Sequence, residues 1–162
     1  MASIISLFTT TQIAGLSTTA VSALTTTDVQ ALSSTQLAAL TTTNLVLLTS
    51  TQFQALQSTQ LRGLTTTQVG ALTTTEIANL NATEVAALTT TQIGGLTTTQ
   101  IGVLSTTQVR ALTTTEIGAL TTTQLGGLTT TEVGALTSVQ VRGLTETEMA
   151  AHDSKTHLAR ER

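Results

Sequence analysis

The sequence predicts an all-α fold, a solenoid of very short capped helices with one helix to each eight-residue repeat. Three observations carry that reading. Leucine stands at every eighth position from Leu16 through Leu144, with Phe8 before the series and His152 after it. Numbering each octad so that this leucine is column eight, column five is always apolar, from Ile13, Val21 and Val29 onward to Met149. Columns one and four carry the residue types that begin a helix.

The helix start is the most legible element. Column one is Thr, Ser or Asn (Thr9, Ser17, Asn81), with Gln57 as the departure. Side-chain oxygens of these residues accept hydrogen bonds from the first orphan N–H groups of a helix. Three positions later column four is mostly Gln or Glu (Gln12, Gln36, Glu76), with Ala20, Asp28 and Asn44 as variants. The pair forms a capping box, and the preceding leucine with the column-five aliphatic occupies the hydrophobic-staple positions, as in Leu88 and Ile93.

The remaining columns are read from what they tolerate. Columns two and six lie four apart on one helical face and accept Ala82, Glu146, Gln30, Val46, Arg62 and Arg110, so that face is expected to be solvated. Columns three and seven share another face and are restricted. Column three is Thr from Thr11 through Thr131 and departs only at Val139; column seven is mostly Gly or Ala, with Leu47, Asn79 and Val103 as exceptions. This face is expected to lie against a neighbouring backbone, with some of the column-three threonines buried.

Two other architectures compete. One continuous helix would rotate its apolar seam by about 80° per octad at about 100° per residue, so it cannot keep one face buried. A β-solenoid suits the threonines, but columns five and eight would point to opposite sides of a strand, and no column consistently supplies a turn residue. A helix of about seven residues is unstable alone. The array therefore depends on neighbours sharing one continuous core.

Residues 1–8 read as an N-terminal partial repeat, 9–152 as the octapeptide solenoid and 153–162 as a charged C-terminal tail. Ile5 and Phe8 at one end of the stack and Met149 at the other are the expected contacts for end-to-end assembly. The start "MASIISLF" lacks the charge and length of a secretory signal.

Composition narrows the function classes. Charged residues are 9% of 162, the formal net charge is -3, and no basic stripe is present, so nucleic acid is not an expected partner. Hydroxyl clusters interrupt every apolar pair, so membrane insertion is not expected and a soluble protein is the default. The chain contains no cysteine, which excludes disulfides and thiolate metal sites.

Leu64, Thr65, Gln68 and Val69 form a Leu-Thr-x-x-Gln-Val start that resembles the opening of transcription-activator-like effector repeats. That resemblance implies a capped short helix. Over residues 9 to 151, the tandem "LTTTQIGAL"-type octads resemble arrays within large secreted bacterial proteins of the adhesin, haem-utilisation and calcium-binding-toxin kind. This implies an extracellular or cell-surface bacterial setting; the calcium-binding nonapeptides of such proteins do not occur here.

Catalytic material is sparse. "HDSKTH" places His152, Asp153 and His157 together, but Asp153 and His157 on one helical face fall short of a zinc ligand set. The hydroxyls lack a neighbouring base. Glu76 and Glu84 read as capping acceptors rather than an acid/base pair, and Arg62, Arg110 and Arg142 as scattered solvated residues. No enzyme activity and no cofactor are expected. The expected function is structural, a self-assembling filament or stiff scaffold; the alternative is binding of ice, polysaccharide or mineral by ordered threonine rows.

Overall fold

A computed structural model describes residues 3–144. Among them, each octad folds into a helix of four to six residues, preceded by a four-residue 3-10 helix, η1 (Ile4–Leu7). The helices are shorter than the seven residues expected. No strand occurs among the described residues, so the β-solenoid alternative gives way to the helical one.

Two extended residues separate one helix from the next. In α8 (Thr66–Ala71), the N-cap Thr65 has φ -72° and ψ 157°, and the C-cap Leu72 has φ -58° and ψ 146°. No described residue has positive φ, glycines included. The helices therefore end without the left-handed glycine of a common C-cap. This explains why column seven can exchange Gly for Ala: the break is made by columns eight and one.

The octads wind into a superhelix. α1 (Thr10–Ala14) packs on α4 (Ser34–Ala39), α10 (Ala82–Val85) on α13 (Thr106–Ala111), and α13 on α16 (Thr130–Ala135). Each helix thus rests on the helix three octads away, and 24 residues complete one turn. Columns five and eight fill the interior as one apolar cluster, in which Ile93 is 0% exposed and Leu96 4%. Burying such a side chain contributes about 1.5–3 kcal/mol, which is how helices too short to stand alone are held. Phe8, Leu16, Leu24 and Leu136, near the ends of the described stack, are only partly buried.

Candidate functional site

The site that recurs along the whole array is the contact between successive turns, and column four builds it. In the octad of α8, Gln68 Oε1 accepts the Thr65 N–H at 2.8 Å while Thr65 Oγ1 accepts the Gln68 N–H at 3.2 Å. The capping box accounts for only one end of the amide. Gln68 Nε2 donates to the carbonyls of Leu40 at 2.7 Å, Leu37 at 3.2 Å and Ala38 at 3.3 Å, which close an octad of the turn below. One side chain thereby satisfies orphan N–H groups at its own helix start and orphan C=O groups at another helix end.

The same bonds recur from Gln36 on Phe8 to Gln140 on Leu112, both at 2.7 Å. These glutamines are buried, and a buried amide is tolerated because its donors and acceptor are used. The sequence reading found the acceptor half of this column and missed the donor half. The signal was present in the preference for Gln over Glu, since only the amide carries N–H groups.

The variants show which half each residue retains. Asn44 is one methylene shorter; its Nδ2 donates to the Leu16 carbonyl at 2.8 Å, but its side chain does not reach the Thr41 N–H. Glu76 keeps the box, accepting the Thr73 N–H at 2.6 Å, and has no N–H to offer the turn below. Glu84 does the same for Asn81 at 2.8 Å. Asp28 lies in the first octad to rest on η1, where its Oδ1 accepts from Ser3 Oγ at 2.6 Å and its Oδ2 from the Thr25 N–H at 2.9 Å. The Ser3 hydroxyl, then the Thr25 hydroxyl and N–H, hold the Asp28 carboxyl below the usual aspartate value.

Column seven supplies the close approach that was expected of it. A Cβ on Gly127 would fall 2.5 Å from the Thr98 carbonyl oxygen, and one on Gly143 would fall 2.6 Å from that of Thr114. Thr98 and Thr114 belong to column two, so the column-two backbone is part of the turn-to-turn contact rather than simply a solvated face. Column three corrects the expectation more fully. Every column-three residue from Thr11 through Val139 is exposed, because the superhelix turns this position outward. The close-packed face pairs columns two and seven of successive turns instead.

Two of the arginines also join turns. Arg62 Nε donates to the Ala87 carbonyl at 2.8 Å, and Arg110 Nε to that of Ala135 at 3.1 Å, each 25 residues on. They are exposed, as expected, yet tethered. Arg142 is the exposed C-cap of α17 (Ser138–Val141).

Of the residues expected at an assembly contact, Ile5 is 4% exposed and belongs to the chain's own core, and Phe8 packs against that core. The apolar side chains facing water at this end are Ile4, 69% exposed, and Leu7, 81% exposed. The 3-10 turn places Ile5 inward and its neighbours outward, which the eight-residue register alone does not reveal. Met149, His152, Asp153 and His157 lie outside the described residues, as does the expected tail, 153–162. Among the described residues, no cluster of side chains has the composition of a metal site, and no helix is long and apolar enough to cross a membrane.

Fold and contact together define an α-helical tandem-repeat protein. The chain belongs to the ALTTAQ repeat family, whose model matches residues 52–82, 82–114, 101–130 and 114–146. The six letters of that description align with columns seven, eight, one, two, three and four, ending on the glutamine that joins the turns. At column three they carry Ala where this chain has Thr. No curated protein and no solved structure shows a significant match.

Proposed function

We propose that the protein is a non-catalytic structural element, a stiff rod that acts as a spacer or scaffold and joins end to end with further copies. The observation that carries this reading is the uniformity of the turn-to-turn contact. The column-four amide bond to the octad below recurs from Phe8 to Leu112 with the same register, so adding octads lengthens the rod without changing its contacts. The N-terminal turn supports the second half of the reading, since Ile4 and Leu7 expose apolar surface at the end of the stack. A repeated head-to-tail contact that does not close generates a filament. Electron microscopy across a range of protein concentrations tests this: constant-width filaments growing with concentration are expected, and separate rods at every concentration would remove self-assembly and leave the spacer.

A second reading, binding of an ordered surface such as ice, rests on column three. This column is exposed throughout and holds Thr or Val but never Ser, whereas columns one and two accept Ser freely. The γ-methyl is therefore retained where the fold does not bury it. Retention on ice and thermal hysteresis are the expected signs, and the absence of both would exclude ice as the surface.

A further inference from the structure

Each octad-closing carbonyl from Phe8 to Leu112 stands below column four of the residue 28 positions on. Ten of these carbonyls accept a glutamine or asparagine N–H. The other four, those of Leu48, Leu56, Leu88 and Leu104, accept no hydrogen bond. They are the four whose column-four partner is a glutamate: Glu76, Glu84, Glu116 and Glu132.

The carboxyls are well placed to replace the amide. One oxygen of each is fixed by the N-cap N–H, from Thr73 at 2.6 Å, Asn81 at 2.8 Å, Thr113 at 2.7 Å and Thr129 at 2.5 Å. The other oxygen has no hydrogen bond, and in the register of the repeat it corresponds to the amide nitrogen of a glutamine. Glu76, Glu116 and Glu132 are each only 6% exposed. An ionised carboxylate there sets an acceptor against an acceptor, whereas a protonated one has the shape and the donor of glutamine.

We propose that these four glutamates are built-in proton sites that clasp successive turns. On taking a proton from solvent, the free oxygen becomes an O–H that donates to the leucine carbonyl below. On losing the proton to solvent, it breaks that bond. The clasp exists only in the folded array, so the folded chain holds the proton more tightly than the unfolded chain. Stability from this source rises as pH falls, levelling off near the ordinary glutamate range of about 4.3, where the unfolded chain also protonates.

The charged neighbours differ among the four. Glu76, in α9 (Thr74–Asn79), packs against α6 (Ser50–Gln54) and α12 (Thr98–Ile101), and neither these helices nor the octad it overhangs carries a charge. Glu84 in α10 packs between α7 (Ser58–Leu61), capped by Arg62, and α13, which carries Arg110. Glu116, in α14 (Thr114–Ile117), packs against α11 (Thr90–Gly94), which is uncharged, and α17, capped by Arg142; the octad it overhangs contains Glu84. Glu132 in α16 packs on α13 with Arg110. A nearby guanidinium favours the ionised form, so Glu76 is the cleanest of the four.

The test compares thermal unfolding of the full chain, E76Q and the fourfold variant E76Q/E84Q/E116Q/E132Q from pH 8 to pH 4. Glutamine already occupies most octads, so the variants are expected to fold. At pH 8 the fourfold variant should melt higher by roughly 5–15 °C, with E76Q contributing a few degrees. The gap should narrow as pH falls and be largely closed by about pH 4. Groups common to all three chains, Asp28 among them, cancel in the difference. A gap independent of pH would show that the carboxyl never donates, and no gap at pH 8 would show that these positions do not join the turns; either outcome overturns the proposal.

Discussion

Gln68 Nε2 lies 2.7 Å from the carbonyl oxygen of Leu40, 28 residues earlier in the chain. That bond joins two helices too short to persist alone, and Oε1 of the same side chain holds the Thr65 N–H. Replacing Gln68 should therefore cost in proportion to the functions removed. Gln68→Ala loses both ends and is expected to destabilise by about 2–4 kcal/mol. Gln68→Asn should fall between alanine and wild type, because it retains only the inter-turn donor, as Asn44 does. Chemical denaturation checks the order; equal losses for Ala and Asn would mean that the inter-turn bond contributes nothing.

Glycines in columns six and seven should respond in opposite directions. A Cβ at Gly127 meets the Thr98 carbonyl oxygen at 2.5 Å, so Gly127→Ala should destabilise by roughly 1–3 kcal/mol as the turns are pushed apart. At Gly134, inside α16, a Cβ meets nothing within 4 Å. Gly134→Ala should stabilise by about 0.5–1 kcal/mol through helix propensity. Melting temperatures moving the same way for both would contradict the turn spacing described.

Acid should loosen the N-terminal turn. The Asp28 carboxyl is held below its usual value, first by the Ser3 hydroxyl. Its contribution is therefore complete above the unfolded-state value of about 3.9 and is lost as pH falls through the lower folded value. Amide exchange in η1 should rise below about pH 4 in the parent chain. In Asp28→Asn that acid dependence should disappear, and a persisting one would place its cause elsewhere.

End-to-end association, where present, should depend on Ile4 and Leu7. Ile4→Lys with Leu7→Lys puts two charges where a contact would have to desolvate them. Filament length in micrographs should fall while the melting temperature holds, because both side chains face water. Ile5→Lys is a poorer probe, since a charge in the core unfolds the turn whatever its partners. Unchanged filaments in the double variant would exclude this end.

The capped octads and the two core columns were legible in the sequence because they follow from local chemistry. Thr65 and Gln68 three apart specify a helix start, and Val69 with Leu72 specify its buried side. What lay beyond reach was set by the superhelix. Whether Thr67 faces inward or outward depends on the angle between successive octads, and nothing within eight residues fixes that angle. The donor role of Gln68 was hidden likewise, its partner being 28 residues away. Ile4 and Leu7 became the exposed apolar pair only once η1 was seen to close as a 3-10 turn.

The most direct test of the architecture is a set of spin-label distances between exposed column-three positions, pairing Thr27 in turn with Thr75, Thr99 and Thr123. The chain has no native cysteine to interfere with labelling. These pairs span two, three and four turns of 24 residues. With stacked helices about 8–10 Å apart, the distances should be narrow and lengthen by that same step from pair to pair. Distances that climb by roughly 36 Å for each 24 residues, as on one continuous helix, or that spread too broadly to resolve, would contradict the three-octad turn.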